Sequence, residues 1–192
     1  MIYPIPLMTF LHQKILPKKL MNDLKAYIRD VPDFPKAGIL FRDITPLLLD
    51  HRAFMRVIDA LSERYSGRGV TKIVAIESRG FIFGSPLVAR LGVGIVPMRK
   101  PGKLPYNTIH ESYELEYGEA ALEIHDDAIA HGDKVLLIDD VLATGGTAAA
   151  AVSLINKLGA NVIEAAFVIE LAGLHGSNKL AGTPFFSLIK YD

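Results

Sequence analysis

The sequence predicts an α/β domain with a doubly wound, mainly parallel sheet. Apolar runs with almost no polar interruption, at residues 72–77, 134–139 and 162–171, are typical of strands buried on both faces. Segments with helical spacing of apolar residues, at 80–91 and 146–158, follow the first two runs. Alternation of such strands with helices favours parallel pairing through right-handed crossovers.

The remaining segments fit the same plan. Residues 94–98 and 184–189 are predicted as further strands, and residues 52–65 as a helix. Residues 18–29 carry apolar side chains at helical spacing before Pro32. We expect this segment to form a small N-terminal cap over the carboxyl ends of the strands.

The chain of 192 residues is long enough for one domain with a sizeable core, and no linker divides it. Residues 1–17 are apolar but contain Pro4 and Pro6, and they read poorly as a signal peptide. We therefore predict an N-terminal extension over residues 1–17 and a single domain over residues 18–192.

One segment breaks the alternation of strands and helices. Residues 100–107 (KPGKLPYN) hold two prolines, a glycine and two lysines. Residues 111–117 and 119–125 then alternate polar and apolar side chains on either side of Gly118, which predicts a hairpin. A polar loop followed by an exposed hairpin is typical of a flexible flap that covers a binding site. The alternative is an ordinary surface loop without a role in binding.

The composition excludes several classes of function. Lysine plus arginine and aspartate plus glutamate each number 21, so the formal net charge is zero and does not favour nucleic acid. The lack of cysteine excludes disulfides, thiolate catalysis and cysteine-ligated zinc. The six histidines lack the spacing of a metal site, and no apolar run is long enough to span a membrane. We expect a cytoplasmic protein without a nucleic-acid or membrane partner.

The segment DDVLATGGT joins two carboxylates to a glycine turn. Asp139 and Asp140 end a predicted strand, where open α/β sheets bind ligands. The turn that follows opens a predicted helix, whose first amides and dipole favour an anion. Carboxylates suit hydroxyls or magnesium but repel phosphate, so the combination predicts a sugar phosphate. We expect the ribose at the acids and the 5′-phosphate at the turn residues Ala143, Thr144, Gly145, Gly146 and Thr147.

Other readings of this segment are available. It could be a strand end with solvated acids, followed by a helix cap. A P-loop is excluded because no lysine follows the second glycine of the turn. A dinucleotide fingerprint is excluded as well, because Gly92 and Gly94 lack the third glycine.

The stretch from Asp139 to Thr147 resembles the phosphoribosyl pyrophosphate signature of the type I phosphoribosyltransferase family. Four other stretches resemble the branch of that family that uses adenine. They are FPKAGILFRDITP (34–46), ESRGFIFG (77–84), RKPGKLP (99–105) and YELEYG (113–118). With the signature, the resemblance covers the chain from about residue 18 to its C-terminus.

The resemblance implies a type I phosphoribosyltransferase fold and a purine-salvage reaction. In that reaction adenine and phosphoribosyl pyrophosphate give AMP and pyrophosphate. The resemblance also implies a homodimer and a requirement for Mg2+. The protein itself is expected to provide no dedicated metal site, because the substrate carries most of the magnesium.

Cations are needed where the pyrophosphate leaves, because negative charge grows on it as the bond to ribose breaks. Arg79 follows a predicted strand, and its guanidinium suits pyrophosphate better than an ammonium group does. The alternative is an exposed arginine at a strand end. Lys103, with Arg99 and Lys100, would add charge from the flap, and the resemblance implies that one of these reaches across a dimer interface.

Glu116 and Tyr117 fall in the predicted flap hairpin. The resemblance places Glu116 near the purine and links it to protonation at N7. A carboxylic acid whose pKa rises on flap closure would bias adenine toward attack through N9. The alternative for Glu116 is a glutamate on the outer face of a strand.

The adenine ring is expected between Phe41 and Val141, while backbone groups around Leu40 and Arg42 read its edge. The alternative for Phe41 is a place in the core.

Two rival functions stay open. A phosphoribosyltransferase for hypoxanthine, guanine or xanthine must read a 6-oxo group, often with a lysine, and the sequence offers none in a convincing position. A regulator that keeps the phosphoribosyl site as a sensor needs a nucleic-acid-binding part, for which roughly 20 N-terminal residues are too few.

Overall fold

The fold consists of a parallel sheet, two small antiparallel ribbons and four helices among the residues that the computed structural model describes, which are 23–114, 119–180 and 182–192. The strands are β1 (Arg29–Val31), β2 (Phe41–Asp43), β3 (Lys72–Ile76), β4 (Gly94–Met98), β5 (Thr108–Glu114), β6 (Glu119–His125), β7 (Lys134–Leu142), β8 (Asn161–Leu171) and β9 (Phe185–Tyr191). The helices are α1 (Thr45–Leu49), α2 (His51–Tyr65), α3 (Arg79–Leu91) and α4 (Gly146–Lys157).

The central sheet has the spatial order β4-β3-β7-β8-β9 within the described part of the chain. Every neighbouring pair in it is parallel. The chain enters at β3, adds β4 outside it, and then builds β7, β8 and β9 on the other side. The doubly wound parallel sheet predicted from the sequence is confirmed. Its carboxyl ends meet at one edge, where such sheets bind ligands.

Alternate side chains along each strand supply a core on each face of the sheet. On one face Ile73 and Leu136 pack in a cluster with α2 and α3, and on the other Val74 and Leu137 pack with α4. All four side chains are fully buried. Burial on both faces explains why the sequence of each strand reads as a continuous apolar run.

The predicted hairpin forms from β5 and β6, which pair antiparallel beside α4. Glu111 on β5 ties it to that helix, because its carboxylate accepts hydrogen bonds from Ser153 Oγ at 3.0 Å and from Lys157 Nζ. Residues 115–118, between the two strands, lie outside the described residues. The flexibility of this flap stays a prediction.

The N-terminal cap differs from the prediction. Residues 23–25 are helical, but the helix predicted over residues 18–29 does not reach its expected end, because β1 begins there. β1 pairs antiparallel with β2 and so forms a small ribbon. Leu24 and Ile28 are both buried, and a turn lies between them. Their four-residue separation in the sequence therefore comes from two separate contacts with the core and not from a continuous helix.

Strand β7 continues past its predicted end at Asp139 as far as Leu142. The reason is pairing, since Val141 and Leu142 have partners on β8. Asp139 and Asp140 therefore lie on a regular strand, where successive side chains point to opposite faces.

A buried carboxylate links β8 to α2 near the amino ends of the strands. Glu164 is 5% exposed and accepts hydrogen bonds from Arg64 at 2.6 and 2.9 Å, Tyr65 at 2.7 Å and Arg68 at 3.0 Å. Burial acts to raise the pKa of Glu164, but hydrogen bonds from Arg64 and Tyr65 outweigh it, and the pKa lies below its ordinary value. This cluster stands at the end of the sheet opposite the candidate site.

We predict that Glu164→Gln lowers the free energy of unfolding by about 1–3 kcal/mol at neutral pH, because the partly exposed Arg64 and Arg68 lose the buried carboxylate that is their counter-charge. A lowered folded-state pKa means that the carboxylate stabilises the fold above its ordinary value of 4.5, and that this contribution is lost as the pH falls through the folded-state pKa. Urea unfolding at neutral pH and at pH ~3 measures both effects. The exposed substitution Asp127→Asn is the control, and an unchanged midpoint for Glu164→Gln at neutral pH would contradict the prediction.

Candidate active site

The ends of β3 and β7 lie side by side at the carboxyl edge of the sheet. Arg79 is the first residue of α3, directly after β3, and its Nε donates a hydrogen bond to the Asp140 carboxylate on β7. The next residue, Gly80, lies so close to β7 that a Cβ would be 2.8 Å from the Ile138 carbonyl oxygen. Glycine thus lets α3 begin against β7, which brings Arg79 to Asp140.

The two adjacent acids of β7 have different surroundings. Asp140 is 4% exposed and paired with Arg79. Asp139 is half-buried, and its Oδ1 accepts a hydrogen bond from the Asp140 backbone N–H at 2.8 Å. Burial raises the pKa of Asp139 well above its ordinary value, and the charge of Asp140 raises it further. A hydroxyl donor or a cation beside Asp139 would therefore favour its ionised form.

The turn after β7 presents backbone amides at the start of α4. Gly145 is the N-cap residue, with a φ of 78° in the left-handed region that favours glycine. Because glycine has no side chain, the cap leaves the first amides of the helix open to an anion, which the helix dipole also favours. Gly145 and Gly146 are buried, Ala143 and Thr147 are half-buried, and Thr144 is exposed.

Glu77, directly after β3, holds the predicted flap cations. Its carboxylate accepts hydrogen bonds from Lys103 Nζ, from Arg99 Nε at 3.2 Å and from the Lys100 backbone N–H at 3.2 Å. Burial acts to raise the pKa of Glu77, but the Lys103 and Arg99 hydrogen bonds outweigh it and lower the pKa to about 2. The ionised Glu77 therefore holds residues 99–103 close to Arg79, which lies two positions after it in the sequence.

Phe41, a predicted adenine contact, lies on β2 near this group. Its ring centroid is 5.8 Å from the Arg79 Cζ, and the Phe34 ring packs edge-on against it at 5.1 Å. Phe41 is half-buried rather than part of the core, and Leu40 before it is 46% exposed. An accessible aromatic surface thus stands beside the Arg79–Asp140 pair.

Arg42 is held from two sides. Its guanidinium pairs with Asp30 on β1 and stacks on the ring of Tyr191 at the end of β9, with 4.0 Å between Cζ and the ring centroid. The pair with Asp30 lies within the β1–β2 ribbon, and the stacking on Tyr191 attaches the ribbon to the central sheet. Val141, the other predicted wall for the base, packs against the core cluster that contains Ile44.

Glu116 and Tyr117 lie outside the described residues, so their places stay predictions. The described part of the hairpin does approach the turn of residues 143–147. A Cβ on Gly146 would be 3.1 Å from Tyr113 Cδ2 and 3.3 Å from the Glu114 carbonyl oxygen. The chain beyond Glu114 therefore starts next to the turn.

Two residues that shape the site, Glu77 and Tyr191, were not predicted from the sequence. The signal for Glu77 was present, because it is a carboxylate that directly follows an apolar strand, as Asp139 does on β7. Tyr191 gave no signal, because its partner Arg42 is far away along the chain.

The described residues contain no group of three histidine, cysteine or acidic side chains able to hold a metal ion. Asp139 and Asp140 offer carboxylate oxygens, which are ligands that Mg2+ prefers. Since Asp140 is already paired with Arg79, a magnesium ion here would take most of its oxygen ligands from a bound substrate and water.

Comparison with known proteins places the chain in a family. A model of the phosphoribosyl transferase domain matches residues 47–183. A protein from Geotalea uraniireducens, named adenine phosphoribosyltransferase, is 54% identical over 171 residues, which cover 89% of this chain and 100% of that protein. The chain belongs to the adenine phosphoribosyltransferase family. The family resemblance predicted from the sequence is confirmed.

Solved structures of adenine phosphoribosyltransferases share the fold. The enzyme from Thermoanaerobacter pseudethanolicus aligns with a TM-score of 0.86 and 51% identity, over 89% of this chain and 99% of that one. The enzyme from Saccharomyces cerevisiae, complexed with an imino-altritol bisphosphate and adenine, aligns with a TM-score of 0.84 and 44% identity, over 88% and 98% of the two chains. The predicted type I phosphoribosyltransferase fold is confirmed.

We predict that Asp139→Asn raises the free energy of unfolding by about 1–2 kcal/mol at neutral pH, because the amide carries no charge for partial burial and the Asp140 carboxylate to oppose. The raised pKa means that ionised Asp139 destabilises the fold, and that this cost grows as the pH rises from the ordinary value of 3.8 through the folded-state pKa. Asparagine keeps the oxygen that accepts from the Asp140 N–H.

Thermal unfolding without added ligand measures this difference across pH. The stabilisation should be present at neutral pH and disappear below pH 3.8, where the acid is neutral in both states. Asp127→Asn, at an exposed site, should change little at either pH. An Asp139→Asn protein no more stable than the wild type at neutral pH would count against the prediction.

Proposed function

We propose that this protein transfers the phosphoribosyl group of phosphoribosyl pyrophosphate to adenine, giving AMP and pyrophosphate, in purine salvage. The observation that carries the proposal is the meeting of Arg79, the two acids of β7 and the Gly145 turn at one edge of the sheet. The similarity to proteins named for this activity supports it, and the yeast relative holds adenine.

The sugar phosphate takes the β7–α4 junction in this proposal. The 5′-phosphate binds the backbone amides of the turn from Ala143 to Thr147, with the hydroxyls of Thr144 and Thr147 as further donors. The ribose hydroxyls donate to Asp139, whose half-buried carboxyl group lies near the carboxyl end of β7. The 5′-phosphate thus stays on the amides, away from the two carboxylates.

Arg79 changes partners when the substrate binds. Its guanidinium is paired with Asp140 in the structure, and pyrophosphate competes for it with several negative charges and matching oxygen geometry. Asp140 then joins Asp139 as an acceptor for the ribose. Arg79 stabilises the charge that grows on the pyrophosphate as its bond to ribose C1′ breaks.

Lys103 and Arg99 supply a second cationic group. Glu77 binds both side chains, and it lies two positions before Arg79 in the sequence. The Lys103 side chain is 46% exposed. Lys103, Arg99 and Lys100 therefore stand ready to contact the leaving pyrophosphate. That one of them acts across a dimer interface remains part of the proposal.

Mg2+ is the proposed cofactor. When bound, it would neutralise charge on the pyrophosphate and help that group leave. Asp139 and Asp140 are the residues that would contribute protein oxygens, directly or through water.

The base stacks on Phe41, with Val141 as the opposite wall and the backbone from Leu40 to Arg42 along its edge. Adenine N9 forms the new bond to C1′ as the electron pair of the C1′–oxygen bond leaves with pyrophosphate. Glu116 favours the tautomer of adenine that carries its ring proton on N7 instead of N9, because N9 then has a free lone pair for attack. That proton then passes to Glu116 or to solvent, which leaves neutral adenine in AMP.

One assay tests the activity and separates it from the rival functions. The protein is incubated with Mg2+ and phosphoribosyl pyrophosphate, and adenine, hypoxanthine, guanine or xanthine is added in separate reactions. We expect nucleotide from adenine. Product from an oxopurine alone would assign the protein to the rival enzyme class, and a lack of product from all bases would favour the sensor.

We predict that Glu116→Gln lowers kcat by about a hundredfold or more while ground-state adenine binding changes little, because an amide does not exchange a proton. Steady-state kinetics and equilibrium adenine binding give the two quantities. Glu114→Gln, in the same hairpin, is the matched control and should keep near-normal kcat. A Glu116→Gln protein with unchanged kcat would contradict the proposed role of Glu116.

A homodimer is also proposed, on the resemblance and on the exposed apolar surface beside β4. Ile95 on β4 is 37% exposed and Ile82 on α3 is 39% exposed. Within the described sheet, β4 has only β3 as a neighbour. A second copy that covers this surface would bury both isoleucines.

We predict that Ile82→Asp converts the dimer to a monomer, because a charge in an apolar interface opposes association. Light scattering after size-exclusion chromatography measures the mass. Leu49→Asp, at a site 78% exposed on α1, is the control and should leave the dimer intact. A wild-type protein that runs as a monomer would overturn the dimer proposal.

Location and domain limits stay predictions. No helix in the described ranges has the length and apolar character needed to cross a membrane. A cytoplasmic location is what we propose. The division into an extension, residues 1–17, and one domain, residues 18–192, also stays a proposal, because residues 1–22 lie outside the described part.

A further inference from the structure

The segment that follows β8 lies against the turn of residues 143–147, called the phosphate turn below after its proposed ligand. β7 and β8 pair in parallel up to Leu142 and Glu170, so the loops that leave these strands start side by side. The β8 loop forms two 3₁₀ turns, Ala172–Leu174 and Gly176–Leu180. Leu180 is 3% exposed and packs in the core cluster with α4, which anchors this loop to the same helix that the phosphate turn begins.

Gly176 is where the two loops meet. A Cβ on Gly176 would lie 2.8 Å from the Gly145 nitrogen, 2.9 Å from the Ala143 carbonyl carbon and closer still to the Ala143 oxygen. A Cβ on Gly145 would lie 2.8 Å from the Gly176 carbonyl carbon and closer to its oxygen. Non-bonded carbon atoms pack at about 3.5–4.0 Å, so neither position has room for a side chain.

This backbone contact matters because the N-cap of the turn contributes no side chain that could fix it. Its N-cap is a glycine, which offers no side-chain hydrogen bond to the first amides. Gly176 is buried, and it packs on the side of the turn formed by the Ala143 carbonyl and the Gly145 N–H. A shift of the turn by a few tenths of an ångström would move every amide that faces the phosphate.

We propose that Gly176 is a positioning residue of the 5′-phosphate site, and that its backbone holds the turn of residues 143–146 in the conformation that binds phosphate. The identity of the ligand rests on the proposed function. The positioning itself rests on the interlocked backbones of Gly176 and Gly145.

Alanine at position 176 is a clean test of this contact. Gly176 is not among the residues in the left-handed region, so alanine meets no strain in its own backbone. Its added methyl group meets the phosphate turn directly. Gly173, in the same segment, is also outside that region, and the nearest atom to a Cβ there is the Asp192 carbonyl carbon at 3.8 Å. Gly173→Ala is therefore the matched control.

Steady-state kinetics with both substrates give the expected pattern. Gly176→Ala should raise the KM for phosphoribosyl pyrophosphate by about tenfold or more, while the KM for adenine, measured at saturating phosphoribosyl pyrophosphate, stays within about twofold. Gly173→Ala should leave both constants within about twofold of the wild type. A folded Gly176→Ala protein with a normal KM for phosphoribosyl pyrophosphate, or with both constants raised equally, would overturn the inference.

Amide hydrogen exchange on the wild-type protein tests the same contact without a variant and settles the case if Gly176→Ala does not fold. Ribose 5-phosphate is the probe. It should slow exchange at residues 145–147 and at residues 176–177 together, because the two backbones move as one. Slowing at 145–147 alone would overturn the inference. A wild-type protein that makes no AMP would instead contradict the proposed function. Amide hydrogen exchange in the presence of ribose 5-phosphate would still test the role of Gly176.

Discussion

The parallel pairing of β3 with β7 is the constraint on which the site depends. Arg79 and Asp140 are 61 positions apart in the sequence, and they meet because both strands end at the same edge of the sheet. The pairing is fixed by apolar side chains that are buried on both faces of the sheet, such as Ile73, Val74, Leu136 and Leu137. Apolar packing therefore sets the distance between charged groups, and a shift of register would separate them.

Electrostatic balance is the second feature that organises the edge. Three cations near the proposed pyrophosphate position already have a carboxylate partner, with Arg79 on Asp140 and both Lys103 and Arg99 on Glu77. The binding free energy of an incoming anion at such a cation is only the difference between its own attraction to the cation and the attraction of the carboxylate that it displaces. A singly charged anion gains little from such an exchange, whereas a pyrophosphate with several charges gains more. Pairing of this kind orders the cations and favours highly charged ligands.

Much of this arrangement could be predicted from residue patterns. The order of strands and helices after residue 51 follows from apolar runs and helical spacing, because burial on both faces leaves a clear pattern. The β1–β2 ribbon and α1 could not be predicted, since three-residue strands and a five-residue helix are too short to show a period. The anion turn was predicted because its glycines, threonines and acids are adjacent.

Roles that depend on distant partners were missed for a different reason. Glu77, Tyr191 and Gly176 act through residues brought near only by the fold. The sequence shows their type but not their neighbours. Gly176 is the clearest example, because a glycine in a loop reads as an ordinary turn residue until its distance to Gly145 is known.

The β1–β2 ribbon forms a sheet of its own and is attached to the central sheet by side chains such as Arg42 and Tyr191. The phosphate turn and the acids belong to the central sheet and its helix. Substitutions in the ribbon can therefore alter the proposed adenine-facing surface, while the acids of β7 and the turn at Gly145, which are the proposed site of the sugar phosphate, stay unchanged. Such modularity gives one scaffold a route to new base preferences through substitutions that never touch its core.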